Sequence, residues 1–333
     1  MQRKWLLAIP SVLVVLYLLG PHPSKPVYSR DMPTVPDSPA GLAQYISQNE
    51  SQHHLKPDNE ARIIWFNDSL KQVTDYSIVY LHGFSSSQEE GDPVHRNIAA
   101  KFGCNLYLSR LAEHGIDTSE QLLPLTADNY WASAEQALAI GKKLGKKVIL
   151  MGTSTGASLA LQLAATYPRD VAALILLSPN IAINDPFAWI LNDPWGLQIA
   201  RMVKHGKYMV SSDSRPIYQK YWNQPYRLEA AVALEEYLET TMTEENFRKV
   251  TQPVLLLYYY KDAVHQDSVV KVSAMLKMFD ELGTADILKR KVAMPNTGNH
   301  VLGSPIKSHD VLGVQIEIGK FMTEVLDLHT PNP

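Results

Sequence analysis

Gly152-Thr-Ser154-Thr-Gly156 follows directly on the apolar run Val148-Ile-Leu-Met151 and opens a helix-compatible stretch from Ala157 to Ala165. A strand, a sharp turn and a helix with serine at the apex is the setting in which Gly-x-Ser-x-Gly presents a nucleophile. The backbone at such a serine is strained, and side chains two positions to either side would collide. Glycine at 152 and 156 removes those collisions. A chain that carries this turn must place it at the end of a sheet strand, which predicts an α/β architecture.

The rest of the pattern agrees. Arg62 to Phe66, Ser77 to Leu81, Asn105 to Leu108, Val171 to Leu177, Pro253 to Tyr260 and Leu288 to Met294 read as strands, rich in β-branched, aromatic and aliphatic residues. Helix-compatible segments lie between them: Pro93 to Phe102, Ala127 to Leu144, Asp267 to Leu282 and His309 to Leu328. Strands alternating with helices imply a mainly parallel sheet covered on both faces. Residues 183–250 break the alternation, with no strand signal, and read as a helical cap inserted over the sheet. They hold ten aromatic residues, among them Trp189, Trp195 and Trp222, candidates for the lining of an apolar substrate pocket. The expected organisation is an N-terminal segment over 1–20, a proline-rich linker and lead-in over 21–60, a core over 61–182 and 251–333, and the cap over 183–250.

The formal net charge of −3 gives no footprint for nucleic acid. The lone Cys104 rules out an intramolecular disulfide and reads as a buried thiol. At the N-terminus, Gln2-Arg3-Lys4 precedes an apolar run from Trp5 to Leu19, followed by Pro21, Pro23, Pro26, Pro33, Pro36 and Pro39. A basic flank before an apolar run predicts export. Leu18-Leu-Gly20-Pro21 lacks a small-x-small cleavage site, so an uncleaved membrane anchor with a translocated catalytic domain, periplasmic or extracellular, is favoured over a secreted product.

A serine hydroxyl needs a base, and the base needs an orienting acid, in the chain order Ser, acid, His on this kind of sheet. Of His265, His300, His309 and His329, the base is assigned to His300, in the glycine-bearing loop Pro295 to Gly303 between the last strand and the last helix. The acid is assigned to Asp262, immediately past Tyr258-Tyr-Tyr-Lys261. Asp267 is read as a helix cap, and Asp280, Glu281 and Asp286 lie on or beyond that helix. The oxyanion requires two backbone N–H donors. Thr155, after the nucleophile, supplies one, and Phe84, in the turn Leu81-His-Gly-Phe84, supplies the other. His82 reads as a brace for that loop. His53, His54 and His95 lack partners at metal-ligand spacing, and no cofactor motif appears.

With Leu81-His-Gly-Phe84, Gly152-Thr-Ser-Thr-Gly156, Asp262 and Gly298-Asn-His300 in place, the chain from about residue 60 onward resembles the α/β-hydrolase superfamily. Within it, the chain is most similar to serine-aminopeptidase and monoacylglycerol-lipase-type hydrolases and small bacterial carboxylesterases. Threonine on both sides of Ser154 departs from the commoner residues there. The resemblance implies a serine hydrolase of carboxylic esters, and the aromatic-rich cap predicts an apolar acyl or aryl group. One alternative is a peptidase using cap acids among Glu229, Glu235, Glu236, Glu239, Glu244 and Glu245 to hold a free amine. Another is a non-enzymatic binding protein on the same fold.

Overall fold

The computed structural model describes residues 14–331. Its centre is a seven-stranded sheet in the order β1-β3-β2-β4-β5-β8-β9. The strands are β1 (Arg62–Ile64), β2 (Thr74–Leu81), β3 (Asn105–Leu108), β4 (Gly145–Thr153), β5 (Ala173–Leu177), β8 (Val254–Tyr258) and β9 (Lys289–Ala293). Only β1 runs antiparallel to its neighbour; every other pair in this sheet is parallel. Strands covered on both faces carry apolar runs rather than alternation, and every residue of β5, Ala-Leu-Ile-Leu-Leu, is buried.

Successive side chains divide between the two faces. Ile78 and Tyr80 of β2 join one core and Val79 and Leu81 the other. The first core receives α3 (Val94–Lys101) and α11 (Val311–Glu324) through Val94, Ile98, Val314, Ile318 and Phe321. The second receives α2 (Pro39–Glu50), α4 (Ala127–Leu144), α5 (Thr155–Thr166) and α10 (Val272–Glu281). Helix α4 runs into β4 without a loop because Gly145 lets the backbones meet; a Cβ there would stand 2.3 Å from Ser77 N. The mainly parallel sheet covered on both faces was legible in the alternation of the sequence. Cys104 is buried, and burial pushes its thiol up to about 12.

Between β5 and β8 the chain adds no strand to this sheet. It forms α6 (Gly196–Val203), α7 (Pro216–Tyr221), α8 (Leu228–Thr241) and α9 (Glu244–Lys249). It also makes a two-residue antiparallel pair, β6 (Tyr208–Met209) with β7 (Tyr226–Arg227), in a stretch expected to carry no strand at all. Its aromatic residues do not make one local core. Tyr237 and Phe247 enter the main core, whereas Tyr218, Tyr221 and Trp222 cluster with Val301.

The membrane-anchor expectation requires correction. Residues 1–13 of the predicted anchor lie outside the described residues. Among the described residues no helix is long and apolar enough to cross a membrane. The helical residues 14–18 (α1) lie against the insertion instead: Trp195 Nε1 donates to Leu16 O at 3.0 Å and Trp195 N to Pro21 O at 3.0 Å. The translocated placement deduced from an anchor loses its support with it.

Candidate active site

Parallel strands bring their C-terminal ends to one edge of the sheet, and the order β2-β4-β5 makes β4 the point where connections diverge to either side. Ser154 follows β4 at that edge, with φ 54° and ψ −121°. The strain is held by hydrogen bonds around it. Ser154 N donates to Leu177 O at 2.9 Å, and Ser154 O accepts from Ala157 N at 3.0 Å and Asn180 N at 3.1 Å.

The two glycines are required by close backbone approach. A Cβ on Gly152 would lie 2.5 Å from Ala157 N, and one on Gly156 would lie 2.0 Å from Leu81 O and 2.5 Å from His82 O. Neither neighbour is a flexible side chain that could move aside. Gly156→Ala is therefore expected to destabilise the protein by about 3 kcal/mol or more, read as a lowered urea midpoint.

The flanking threonines are structural. Thr153 and Thr155 are fully buried. Thr153 Oγ1 shares a 2.9 Å hydrogen bond with Tyr80 OH, and Thr155 Oγ1 accepts from Asn180 Nδ2 at 3.4 Å. Asn180 also receives Ser158 Oγ on its carbonyl at 2.6 Å, so the turn after β5 is tied to the turn that carries the serine. Nothing in the sequence singled out Asn180.

His300 is buried in the loop after β9, and its Nδ1 lies 2.6 Å from Oδ2 of Asp267, not of Asp262. The structure thus brings Asp267, and not the expected Asp262, to the imidazole. After β8 the chain makes an excursion closed by a bridge between Tyr260 and Gln266, and Asp267 N returns to donate to Tyr259 O at 3.1 Å. Asp262 sits out on that excursion, exposed, where it accepts from Val264 N, His265 N and His265 Nδ1 at 2.9, 2.7 and 3.0 Å. Those bonds, the one from the His265 amide foremost, hold its carboxyl down at about 2.

Asp267 is not the cap of α10, which begins at Val272. Its Oδ1 accepts from Val269 N and Val270 N at 2.8 and 3.1 Å, leaving Oδ2 for the imidazole. Burial disfavours its charge, but the His300 interaction and these amides prevail and keep its carboxyl below the ordinary value. For His300 burial opposes the imidazolium, yet the Asp267 carboxylate, its hydrogen bond and Glu90 together hold the imidazole above its ordinary value. With Nδ1 bound to Asp267, Nε2 is the nitrogen left for proton transfer. No hydrogen bond joins Ser154 Oγ to His300 in this structure; such contacts in free enzymes often close only when substrate binds.

The loop after β2 passes over the serine: a Cβ on Gly83 would lie 3.0 Å from Ser154 Cβ. Neither Phe84 N–H nor Thr155 N–H has a protein acceptor among the described residues. Thr155 lies in the first turn of α5, where amides have no intrahelical partner. Two buried neutral histidines brace the loop. His82 Nε2 accepts from Leu111 N at 3.0 Å and its Nδ1 donates to Gly83 O at 2.9 Å. His114 Nε2 accepts from Ser85 N at 2.9 Å. Burial lowers both imidazoles, His82 to about 4.

The tryptophans separate. Trp222 is buried, stacked on Tyr218 and packed in the cluster with Val301, one residue from His300. Trp189 is 54% exposed, and Trp195 is engaged with Leu16 and Pro21. None of the three lines the apolar cavity of about 240 Å³ inside the insertion. That cavity is walled by Phe187, Ile190, Leu191, Ile199, Tyr226 and Leu234. Tyr226 meets Phe84 edge-on at 5.1 Å between ring centroids, so the cavity abuts the loop over the serine. Among the described residues no group of three or more His, Cys, Asp or Glu side chains is placed to hold a metal ion.

Fold and site together are those of a hydrolase of the α/β type. Residues 77–293 match the family described as serine aminopeptidase, S33, and the chain belongs to that family. It shares its fold with a structure from work on LipS and LipT, two metagenome-derived lipolytic enzymes, at 16% identity and TM-score 0.62, covering 81% of this chain and 100% of that one. It is also similar to Est1E from Butyrivibrio proteoclasticus with ferulic acid bound (17% identity, TM-score 0.54, 80% and 95% covered). A third likeness is to a monoacylglycerol lipase from Paleococcus ferrophilus (14% identity, TM-score 0.56, 79% and 97% covered). No curated protein matches the sequence.

Proposed function

We propose that this chain is a serine hydrolase of carboxylic esters, working through Ser154, His300 and Asp267. The observation that carries this reading is the pairing of a strained, glycine-flanked serine with a buried imidazole–carboxylate pair on one sheet edge. Ser154 Oγ attacks the acyl carbon while His300 Nε2 takes its proton. Asp267 fixes the imidazole tautomer through Nδ1–H and stabilises the imidazolium. The amides of Phe84 and Thr155 receive the oxyanion, each such donor being worth roughly 10²–10³ in turnover. His300 protonates the leaving alcohol. Water then attacks the acyl-enzyme with the same assistance, and the carboxylic acid leaves.

The cavity of about 240 Å³ beside the loop over the serine supports a preference for small acyl groups. It falls below the roughly 300–1,000 Å³ of drug-sized sites and suits a short acyl chain or one aryl ring. In a p-nitrophenyl ester panel, acetate and butyrate are expected to exceed palmitate in kcat/KM by about tenfold or more. A fluorophosphonate probe is expected to label Ser154. An unlabelled serine, with no ester turned over, would end the reading.

The pH profile has a definite sign. His300 acts as base only when neutral, and its imidazole titrates above the ordinary value of about 6.5. Activity should therefore fall as the pH drops through a point above that value, measured as the acid limb of kcat/KM.

One observation keeps an amide substrate in view. Five of the six glutamates considered for amine binding are engaged: Glu229 with Arg201 and Arg227, Glu236 and Glu239 with Asn192, Glu244 with Arg248, and Glu245 with Lys249. Glu235 is 7% exposed and its Oε2 has no partner. Amino-acid anilides hydrolysed faster than short esters, with the preference lost in Glu235→Gln, would favour the peptidase.

A further inference from the structure

A second buried carboxylate stands beside the site and has no part in the mechanism above. Glu90 lies in the short 3-10 turn Gln88–Gly91 and is 2% exposed. Its Oε2 accepts from Gly83 N at 2.6 Å. A Cβ on Gly83 would meet both Glu90 carboxylate oxygens and Ser154 Cβ, each at 3.0 Å, so one backbone position separates this carboxylate from the nucleophile. The loop that carries His300 closes from the other direction. Gly303 packs on the Glu90–Gly91 backbone, where a Cβ would stand 3.2 Å from Glu90 O. His95 Nε2 donates to Gln88 O at 2.9 Å and pins the turn itself.

We propose that Glu90 is a positioning residue of the reaction: its carboxylate clamps the Gly83 amide, setting the loop that bears Phe84 N–H over Ser154, and its charge favours the imidazolium of His300 alongside Asp267. The inference rests on the esterase reading only for its kinetic consequence. An arrangement that merely filled space would not put an acid here. Among the described residues no arginine or lysine pairs with this carboxylate, and a buried unpaired charge is costly. The groups facing Glu90 are the Gly83 amide, the Ser86 hydroxyl, His300 and the phenols of Tyr80, Tyr130 and Tyr218. Those facing His300 are Asp267 and Glu90. Burial pushes the Glu90 carboxyl up to about 7, so its charge is available when an imidazolium forms beside it and is partly withdrawn when it does not.

Glu90→Gln tests this. The amide oxygen still accepts from Gly83 N, so only the charge is removed. Without that charge the His300 imidazole should titrate at lower pH, read directly from its ring proton and carbon resonances by NMR without any substrate. The acid limb of kcat/KM should move to lower pH by the same amount. At pH 8, kcat should fall about ten- to a hundredfold with KM within a few-fold, because one of the two charges that stabilise the imidazolium in the transition state is gone while the Gly83 clamp is kept. The sign on stability is opposite. An acid whose folded value is raised costs stability as the pH rises from the unfolded value of about 4.3 through 7, so Glu90→Gln should be at least as stable as wild type at pH 8.

His300 titrating at the same pH in both proteins overturns the proposal. If the variant does not fold, the wild type gives the answer alone: the Glu90 carboxyl carbon and the His300 ring should each show two inflections, and single independent steps overturn the coupling. A wild type inactive on esters would sink the esterase reading and leave both titrations standing.

Discussion

Ser154→Ala is expected to lower kcat for a short-chain p-nitrophenyl ester by about 10⁵–10⁶-fold and to abolish fluorophosphonate labelling. The loss is that large because base and orienting acid serve only the serine they deprotonate; without it they contribute nothing. The remaining donors still bind the polarised carbonyl, so a residual rate of roughly 10³–10⁴ over water should persist. Folding should be almost unaffected. Among the described residues Ser154 Oγ has no protein hydrogen-bond partner, so its removal leaves no buried group unsatisfied. The backbone at 154 is equally strained for serine and alanine. A melting temperature unchanged to within about 2 °C, beside a collapsed rate, is the expected pair of results. Ester hydrolysis at the wild-type rate would remove Ser154 from the mechanism altogether.

Asp267→Asn is expected to lower kcat by about 10⁴-fold, while Asp262→Asn stays within about threefold of wild type. The carboxylate of Asp267 accepts the His300 Nδ1 proton at 2.6 Å and so leaves Nε2 free to take the proton of the serine. An amide can offer an N–H to Nδ1 instead, which stabilises the wrong tautomer. It also removes the charge that offsets the imidazolium. Asp262 lies 50% exposed at its side chain, paired with an exposed His265, and a change there reaches only solvent and a surface turn. The two variants together are decisive, because opposite outcomes would restore Asp262 as the acid. Asp267→Asn should also be less stable at neutral pH than wild type, since a carboxylate held below its ordinary value contributes stability above about pH 4 and loses it as the pH falls.

Much of the fold could be read because its signals are local. β5 reads as a strand because each of its residues is apolar, and it is buried on both sides. The helix over Ala127–Leu144 carries its own start, Thr126 with Asn129 in a reciprocal cap, and its own end at Gly145. His300 could be placed at the sheet edge because it stands in the connection that leaves the last strand. The carboxylate that faces its Nδ1 could not, because the hairpin from Tyr260 to Gln266 returns the chain to the sheet edge, so the nearest acid along the sequence is not the nearest in space. An Asp followed two and three residues later by free amides also looks the same whether it caps a helix or orients an imidazole. Only the second oxygen of Asp267 tells the difference.

Aromatic residues misled for a related reason. Composition located them in the insertion, but whether a tryptophan faces a cavity, a neighbouring loop or an N-terminal segment is a matter of packing. Trp222 went to the His300 loop and Trp195 to Leu16 and Pro21. The apolar run at the N-terminus was likewise a length argument, and the helical residues 14–18 meet the insertion.

The sequence by itself determined the strained serine turn, because steric exclusion at Gly152, against Gly156 and Ala157, acts within the same turn; at Gly156 the exclusion is tertiary, against Leu81 O and His82 O. It determined the parallel sheet through hydrophobic periodicity, which is also local. The tertiary structure alone decided which carboxylates face His300, that Asp267 does so through a loop that doubles back, and that Glu90 reaches Gly83 from seven residues away. Charge in a buried site acts through space, and nothing in the spacing of acids along the chain encodes the distances that close when the loops fold over the sheet edge.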